Sequence, residues 1–301
     1  MTLARVLGTA GRISLTAGVL LLLFVSYQLW GTGLHEARAQ GALEDEFEEA
    51  LADAGGDATA AGRESPETVT VGAPPLPPSP PPTPGDAVAQ LRIPRIGVDK
   101  VVVEGVSVED LKRGPGHYPG SPLPGQPGNA SIAGHRTTYG APFHRIDELE
   151  LADEIVVTTL EGEFRYAVIA QLIVGPDQVE VLNDFGDSRL TLTACHPKYS
   201  AAQRIVVVAE LEGDEAAVES EPRVETSGVA LPDLEAGLSG ERASTWPAIM
   251  LGLACGLIWL ITWALARLIR PVIAYAIGAP AFLAMLFLFY ENVARLLPAN
   301  F

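Results

Sequence analysis

Cysteine is scarce in this 301-residue chain: Cys195 and Cys255 are its only two. One closes a β-like run and the other sits inside a long apolar stretch, so a structural disulfide between them is not expected. Basic residues are also short, with 20 Lys and Arg against 37 Asp and Glu and a formal net charge of -17. Nucleic acid is therefore not an expected partner, because phosphate binding needs clustered cations. Zinc spacings, phosphate loops and dinucleotide fingerprints are missing too, so neither a metal nor a cofactor is expected. Charge itself is missing from three long segments, residues 13–34, 243–266 and 271–290.

Each uncharged segment is long enough to cross a hydrocarbon core. Arg5 and Arg12 precede the first, and Glu36 begins a dense acidic stretch after it. That asymmetry puts the N-terminus in the cytoplasm and the following residues outside. Ala37-Arg38-Ala39 loosely fits a signal-peptidase site, but the apolar run exceeds a signal core, so an uncleaved anchor is expected. Arg267 and Arg270 lie between the two C-terminal segments, which predicts a helical hairpin with its turn inside and its tail outside. The expected organisation is a cytoplasmic 1–12, a membrane helix 13–34, an acidic stalk and proline-rich linker 35–86, a folded module 87–212, an acidic linker 213–243, membrane helices 244–266 and 271–290, and a tail 291–301. Eight prolines in the eleven positions 74–84 dictate an extended spacer. Leu43, Phe47 and Leu51 have amphipathic spacing among acidic neighbours and read as a solvated stalk.

The module has a β texture. β-branched runs at 91–96, 101–104, 130–134, 155–160, 164–174, 189–194 and 205–211 are bounded by Gly, Pro, Asp or Asn. Glu161-Gly162 reads as a hairpin turn. Ser107 with Asp110 is a capping pattern ahead of Leu111, stopped by Gly114-Pro115, and a second short turn is expected over 143–149. Many short strands with few helices indicate a closed or nearly closed barrel.

Three residues in this module can carry chemistry. Thr191-Leu192-Thr193-Ala194-Cys195 ends a strand at a thiol. After Pro197 the chain resumes as a strand at Arg204, close enough to return beside the cysteine. Ser131-Ile132-Ala133-Gly134-His135 ends another strand at a histidine. A thiol, an imidazole and a guanidinium suit acyl transfer: attack on a carbonyl, proton delivery to the leaving amine, and stabilisation of the oxyanion. Residue types alone leave open the plainer reading of an inert buried cysteine and a surface histidine.

The ordered set 134–143 (GHRTTYGAPF), 191–197 (TLTACHP) and Arg204, with Gly114-Pro115-Gly116-His117-Tyr118-Pro119 and Gly128-Asn129 upstream, resembles the sortases, in particular the class E group of actinobacteria. The resemblance spans about residues 91–211. It implies an eight-stranded sortase-like β-barrel with short helices, carried with one N-terminal and two C-terminal membrane helices. It also implies a membrane-anchored cysteine transpeptidase that cuts a C-terminal LAxTG or LPxTG sorting signal between Thr and Gly. The acyl-thioester would pass to an amine of a lipid II-type peptidoglycan precursor, so the partners are secreted proteins bearing sorting signals, that precursor and the membrane. By matching motif, Cys195 is the nucleophile, His135 the acid/base and Arg204 the oxyanion partner. Tyr139 matches a determinant of LAxTG preference, and Thr193, Ala194 and His117 are candidate substrate contacts, with a loop histidine satisfied by backbone groups the favoured reading of His117. Ala194 departs from the usual threonine before the cysteine, and Ala152 from a usual glycine. The C-terminal hairpin is an uncommon addition.

Other candidates carry less. His196 adjoins the nucleophile but points to the opposite face of its strand. His144 and His35 have no supporting context. Asp147, Glu148, Glu150, Asp153 and Glu154 form an acidic cluster without calcium-loop spacing and read as a solvated face. Papain-like wall peptidases and L,D-transpeptidases order or flank their cysteine differently. A pilin-polymerising sortase and a decayed exported binding module remain as alternatives.

Overall fold

The computed structural model describes residues 3–61, 82–213, 244–294 and 296. Most of the expected proline spacer, nearly all of the second acidic linker and most of the C-terminal tail fall outside them.

The module folds into eight strands: β1 (Ala87–Ile93), β2 (Val98–Glu104), β3 (Gly116–His117), β4 (Asn129–Ala133), β5 (Glu154–Thr159), β6 (Gly162–Val174), β7 (Arg189–His196) and β8 (Gln203–Leu211). They close into a barrel in the order β1-β2-β3-β4-β7-β8-β6-β5. Closure removes the open sheet edges that would otherwise expose unpaired backbone. β4 runs parallel to β7, and β7 antiparallel to β8. The two-residue β3 sits in a Gly/Pro-rich stretch with no strand signal of its own. It closes the barrel by pairing with β2 on one side and β4 on the other.

Inward-facing residues fill the barrel: Leu91 and Ile93 from β1, Ile132 from β4, Leu190 and Leu192 from β7 and Val207 from β8 are fully buried in one cluster. The alternate residues of β7 and β8 face outward, yet β7 is buried on both sides. Tyr118 reaches its outer face at Thr193 and packs in a second apolar cluster with Val106, Leu111, Ala133 and Leu182. The expected turn is shifted by one residue: Thr159 pairs with Gly162, so Leu160-Glu161 make the hairpin connection. The Ser107 to Asp110 pattern is a reciprocal capping box on α3 (Val108–Leu111).

Among the described residues, three helices are long and apolar enough to cross a membrane, by length and composition. α1 (Leu3–Ser26) contains the first such stretch, Leu7–Ser26, and continues through a π-helical turn (Tyr27–Gly31) into α2 (Thr32–Ala61). α4 (Trp246–Leu268) and α5 (Pro271–Ala294) form the hairpin. Tyr290 of α5 donates its hydroxyl to the Leu20 carbonyl of α1 at 2.7 Å, with Phe24 edge-on at 5.2 Å, so the hairpin packs against the N-terminal helix.

α2 corrects the reading of a free solvated stalk. Its apolar stripe docks on the barrel, with Leu43 and Phe47 buried against Val101 and Val103. Gln40 accepts the Val101 N–H at 2.8 Å and donates to the Val101 carbonyl at 3.0 Å, as a neighbouring strand would. Glu36 is buried and pairs with Lys100 at 2.7 Å. Glu44, Asp45, Glu48 and Glu49, which suggested full solvation, are exposed.

Candidate active site

Strand register brings the three expected catalytic residues together. Ala133 of β4 pairs with Thr193 of β7, and the Gly134 N–H donates to the Thr193 carbonyl at 3.0 Å. Two residues further along each chain are His135 and Cys195. On the other side, Cys195 and Arg204 are direct partners between β7 and β8. Cys195 therefore lies beside Arg204 on β8, and the segment that carries His135 leaves β4 on the other side of β7.

The face matters as much as the position. Leu190, Leu192 and Ala194 point into the apolar interior, so Thr191, Thr193 and Cys195 occupy the outward face by alternation. Thr193 accepts or donates a 3.0 Å hydrogen bond with the Tyr118 hydroxyl, and Thr191 donates to Asn129 Oδ1 at 2.7 Å on that face. The sulfur therefore belongs to a polar wall beneath a covering loop rather than to the apolar core. Cys195 is 8% exposed, His135 2% and Arg204 3%, so all three are covered in this arrangement.

Burial sets the protonation. His135 is pulled down to about 4, chiefly because desolvation penalises the imidazolium and secondarily because Lys112 is a nearby cation. Its Nε2 is buried without a hydrogen-bond partner. Desolvation raises the Cys195 thiol, an effect opposed by the Arg204 and Arg136 guanidiniums. Burial thus works against the charged form of both groups, imidazolium and thiolate. Arg204 Nη1 donates to the Ala201 and Gln203 carbonyls at 3.0 and 3.1 Å, which fixes its fork.

The substrate-contact expectations fare differently. Tyr139 stacks on His135 with ring centroids 5.3 Å apart and is itself buried. It adopts φ +48°, next to Gly140 at φ +72°, so a left-handed turn presents the ring to the histidine. Thr193 lies on the cysteine's face. Ala194 does not: its methyl group packs in the barrel interior, so the expectation of a substrate contact there is corrected by strand alternation. His117 is also turned away from that task. Its Nδ1 meets Glu104 at 2.6 Å and its Nε2 meets Ser121 Oγ and the Pro122 carbonyl at 2.9 and 3.0 Å, so both ring nitrogens are engaged in a buried network.

Sequence reading missed Arg136, Tyr118 and Lys112. Arg136 stood inside the histidine motif, but nothing along the chain pairs it with residue 195. Tyr118 stood in the Gly/Pro loop, where only the covering of β7 gives it a place. The acidic cluster is spent on ion pairs: Asp147 with Arg136 at 2.9 Å, Glu148 with Arg145 at 2.6 Å, Glu150 with Arg95 at 2.7 Å and Glu154 with Arg165 at 2.9 Å. Among the described residues, no group of three or more His, Cys, Asp or Glu side chains is arranged to hold a metal ion.

Comparison with known proteins meets this geometry. A model of the sortase domain matches residues 91–212. Sortase SrtE1 of Streptomyces coelicolor is 34% identical over 233 residues, covering 71% of this chain and 57% of that protein. Sortase D of Bacillus subtilis is 35% identical over 117 residues, covering 38% of this chain and 58% of that protein. The solved structure of sortase E from Streptomyces avermitilis is 37% identical, with a TM-score of 0.40 over 44% of this chain and 91% of its own. The chain thus spans less than two thirds of the length of the two curated relatives, 57% and 58%. The sequence matches agree that the chain belongs to the sortase family, with a sortase E of Streptomyces among its relatives.

Proposed function

We propose that the chain is a membrane-anchored transpeptidase that cuts a C-terminal LAxTG or LPxTG-type sorting signal between Thr and Gly and transfers the threonyl end to an amine of a peptidoglycan precursor. Cys195 is the nucleophile, His135 the acid/base and Arg204 the oxyanion partner. The observation that supports this most is the row made by register, with Cys195 flanked by the histidine strand on one side and Arg204 on the other.

The chemistry follows from the resting charges. As Sγ bonds to the threonyl carbonyl carbon, the thiol proton passes to neutral His135, and negative charge grows on the carbonyl oxygen. Arg204 stabilises that oxygen with a cation that keeps its charge at any working pH. The C–N bond then breaks, and the departing glycyl nitrogen takes the proton from His135. An acyl-thioester remains. The acceptor amine attacks it, gives a proton to His135, and the C–S bond breaks with the thiol reprotonated. Two neutral groups at rest suit this cycle, because a buried thiolate would be held back by desolvation.

Placement in the membrane completes the proposal. Three apolar helices anchor the barrel, Arg5 and Arg12 hold the N-terminus inside, and Arg267 and Arg270 hold the hairpin turn inside. The barrel then faces outward, where sorting signals and wall precursors meet. The test is to incubate the full chain, in detergent, with a panel of sorting peptides and to look by mass spectrometry for the acyl adduct. Mass gain on Cys195 with release of the peptide beyond Thr supports the reading. Cleavage that persists in Cys195→Ala would exclude the thiol mechanism.

A further inference from the structure

Arg136 has no role in the chemistry set out above, yet it is only 2% exposed and reaches the backbone of Cys195. Its backbone follows His135 directly. Its Nη1 donates to the Cys195 carbonyl at 3.1 Å and lies 3.0 Å from His196 Nδ1, while Nη2 pairs with Asp147 at 2.9 Å. His144 Nδ1 also bonds the Arg136 carbonyl, at 2.9 Å. One residue thereby ties the end of the histidine segment to the end of the cysteine strand, with Asp147 holding the guanidinium in place.

We infer that Arg136 is a positioning residue for the thiol step, and that Asp147 sets its orientation. This rests on the reading of Cys195 as nucleophile. Two consequences follow. The carbonyl of Cys195 is pinned, so Sγ keeps its place in the row. A second fixed cation, beside Arg204, also favours the thiolate as it forms. Lysine at this position keeps charge but loses the planar fork that spans the Cys195 carbonyl and Asp147.

The experiment compares Arg136→Lys, Arg136→Gln and Asp147→Asn with the parent, all in a Cys255→Ala background so that Cys195 is the one thiol. Peptide cleavage and the pH profile of Cys195 alkylation are both followed. Arg136→Gln should lower kcat by about tenfold to a hundredfold with little change in KM, the size expected when a reacting group is misplaced. Its alkylation profile should move to higher pH, and Arg136→Lys should restore the profile but only part of kcat. Asp147→Asn should show a smaller loss of kcat in the same direction. A purely structural role would lower the melting temperature and leave the alkylation profile where it was, and that result overturns the inference. If Cys195→Ala still cleaves, the underlying mechanism fails instead, so the two failures are separable.

An independent set of contacts concerns access. Tyr139 lies between His135 and α2: its ring is 5.3 Å from His135 on one side and 6.2 Å from His35 on the other. A methyl group at Gly140 would sit 2.4 Å from the Glu36 carboxylate, so the helix is seated directly on the turn. With Glu36 on Lys100 and Gln40 on Val101, helix and turn close over the histidine together. We propose that α2 is an intramolecular cover that a sorting peptide must displace to reach Tyr139 and His135. In full-length Cys195→Ala protein, saturating LAxTG peptide should speed amide exchange along α2 residues 36–47 while the strands stay protected. Unchanged protection of α2 with the peptide demonstrably bound rules the cover out. In the active chain, Glu36→Ala with Gln40→Ala should raise kcat/KM by about tenfold if the open form is normally roughly a tenth of the population. Equal or lower kcat/KM in a variant that keeps its barrel melting transition also counts against it.

Discussion

Gln40 and Val101 are 61 residues apart in sequence, yet the side-chain amide of one satisfies both backbone groups of the other. A membrane-proximal helix is thereby bonded to a barrel strand. Replacing Gln40 by Ala leaves a buried N–H and carbonyl without these partners, at a cost of about 1–3 kcal/mol. Amide exchange at Val101 should accelerate in Gln40→Ala relative to amides in β8. Equal protection in the two proteins would mean that water or another group takes the place of the glutamine.

Arg204→Lys should lose about a hundredfold to a thousandfold in kcat, the range for removing an oxyanion donor, with the barrel still folded. An ammonium cannot both hold the Ala201 and Gln203 carbonyls and face the Cys195 side of the strand pair. Turnover within a few-fold of the parent, measured by peptide cleavage, removes arginine from that role.

His135 makes stability depend on pH in a stated direction. Its native value is about 4 and its reference value is 6.5. Between those limits the unfolded chain binds a proton that the native chain refuses, so stability falls as pH is lowered from 6.5 to about 4; the loss stays complete below that range and vanishes above it. The loss is on the order of 3 kcal/mol. Chemical denaturation of the parent and His135→Asn at both pH limits isolates it; if the two proteins lose equal stability, the histidine is not the cause.

Tyr118→Phe should cost about 1–2 kcal/mol by stranding the buried Thr193 hydroxyl, and adding Thr193→Val should recover part of it, because two apolar groups no longer need each other. Denaturation midpoints of the single and double variants decide this. A double variant less stable than the additive sum would show that the hydroxyls contribute through other partners.

How far the sequence carried the fold is clear at particular residues. Seven of the eight strands were visible as β-branched runs, because β-branched side chains suit a pleated strand whether one face is buried, as in β1 and β6, or both, as in β4 and β7. β3 was invisible: Gly116-His117 has no strand propensity and is a strand only because β2 and β4 stand on either side of it. Ala194 and His117 were placed near substrate by motif position, whereas side-chain direction is fixed by which face of a strand the core occupies.

The amino-acid sequence alone determined the apolar helices and seven of the barrel's strands, because composition and periodicity are local properties, while the thiol, imidazole and guanidinium were singled out by the resemblance of their motifs. Only the tertiary structure decided that Arg136 reaches the Cys195 carbonyl and that α2 lies across Tyr139. Those contacts join residues distant in sequence. Their energies depend on burial and register, which exist only once the barrel has closed.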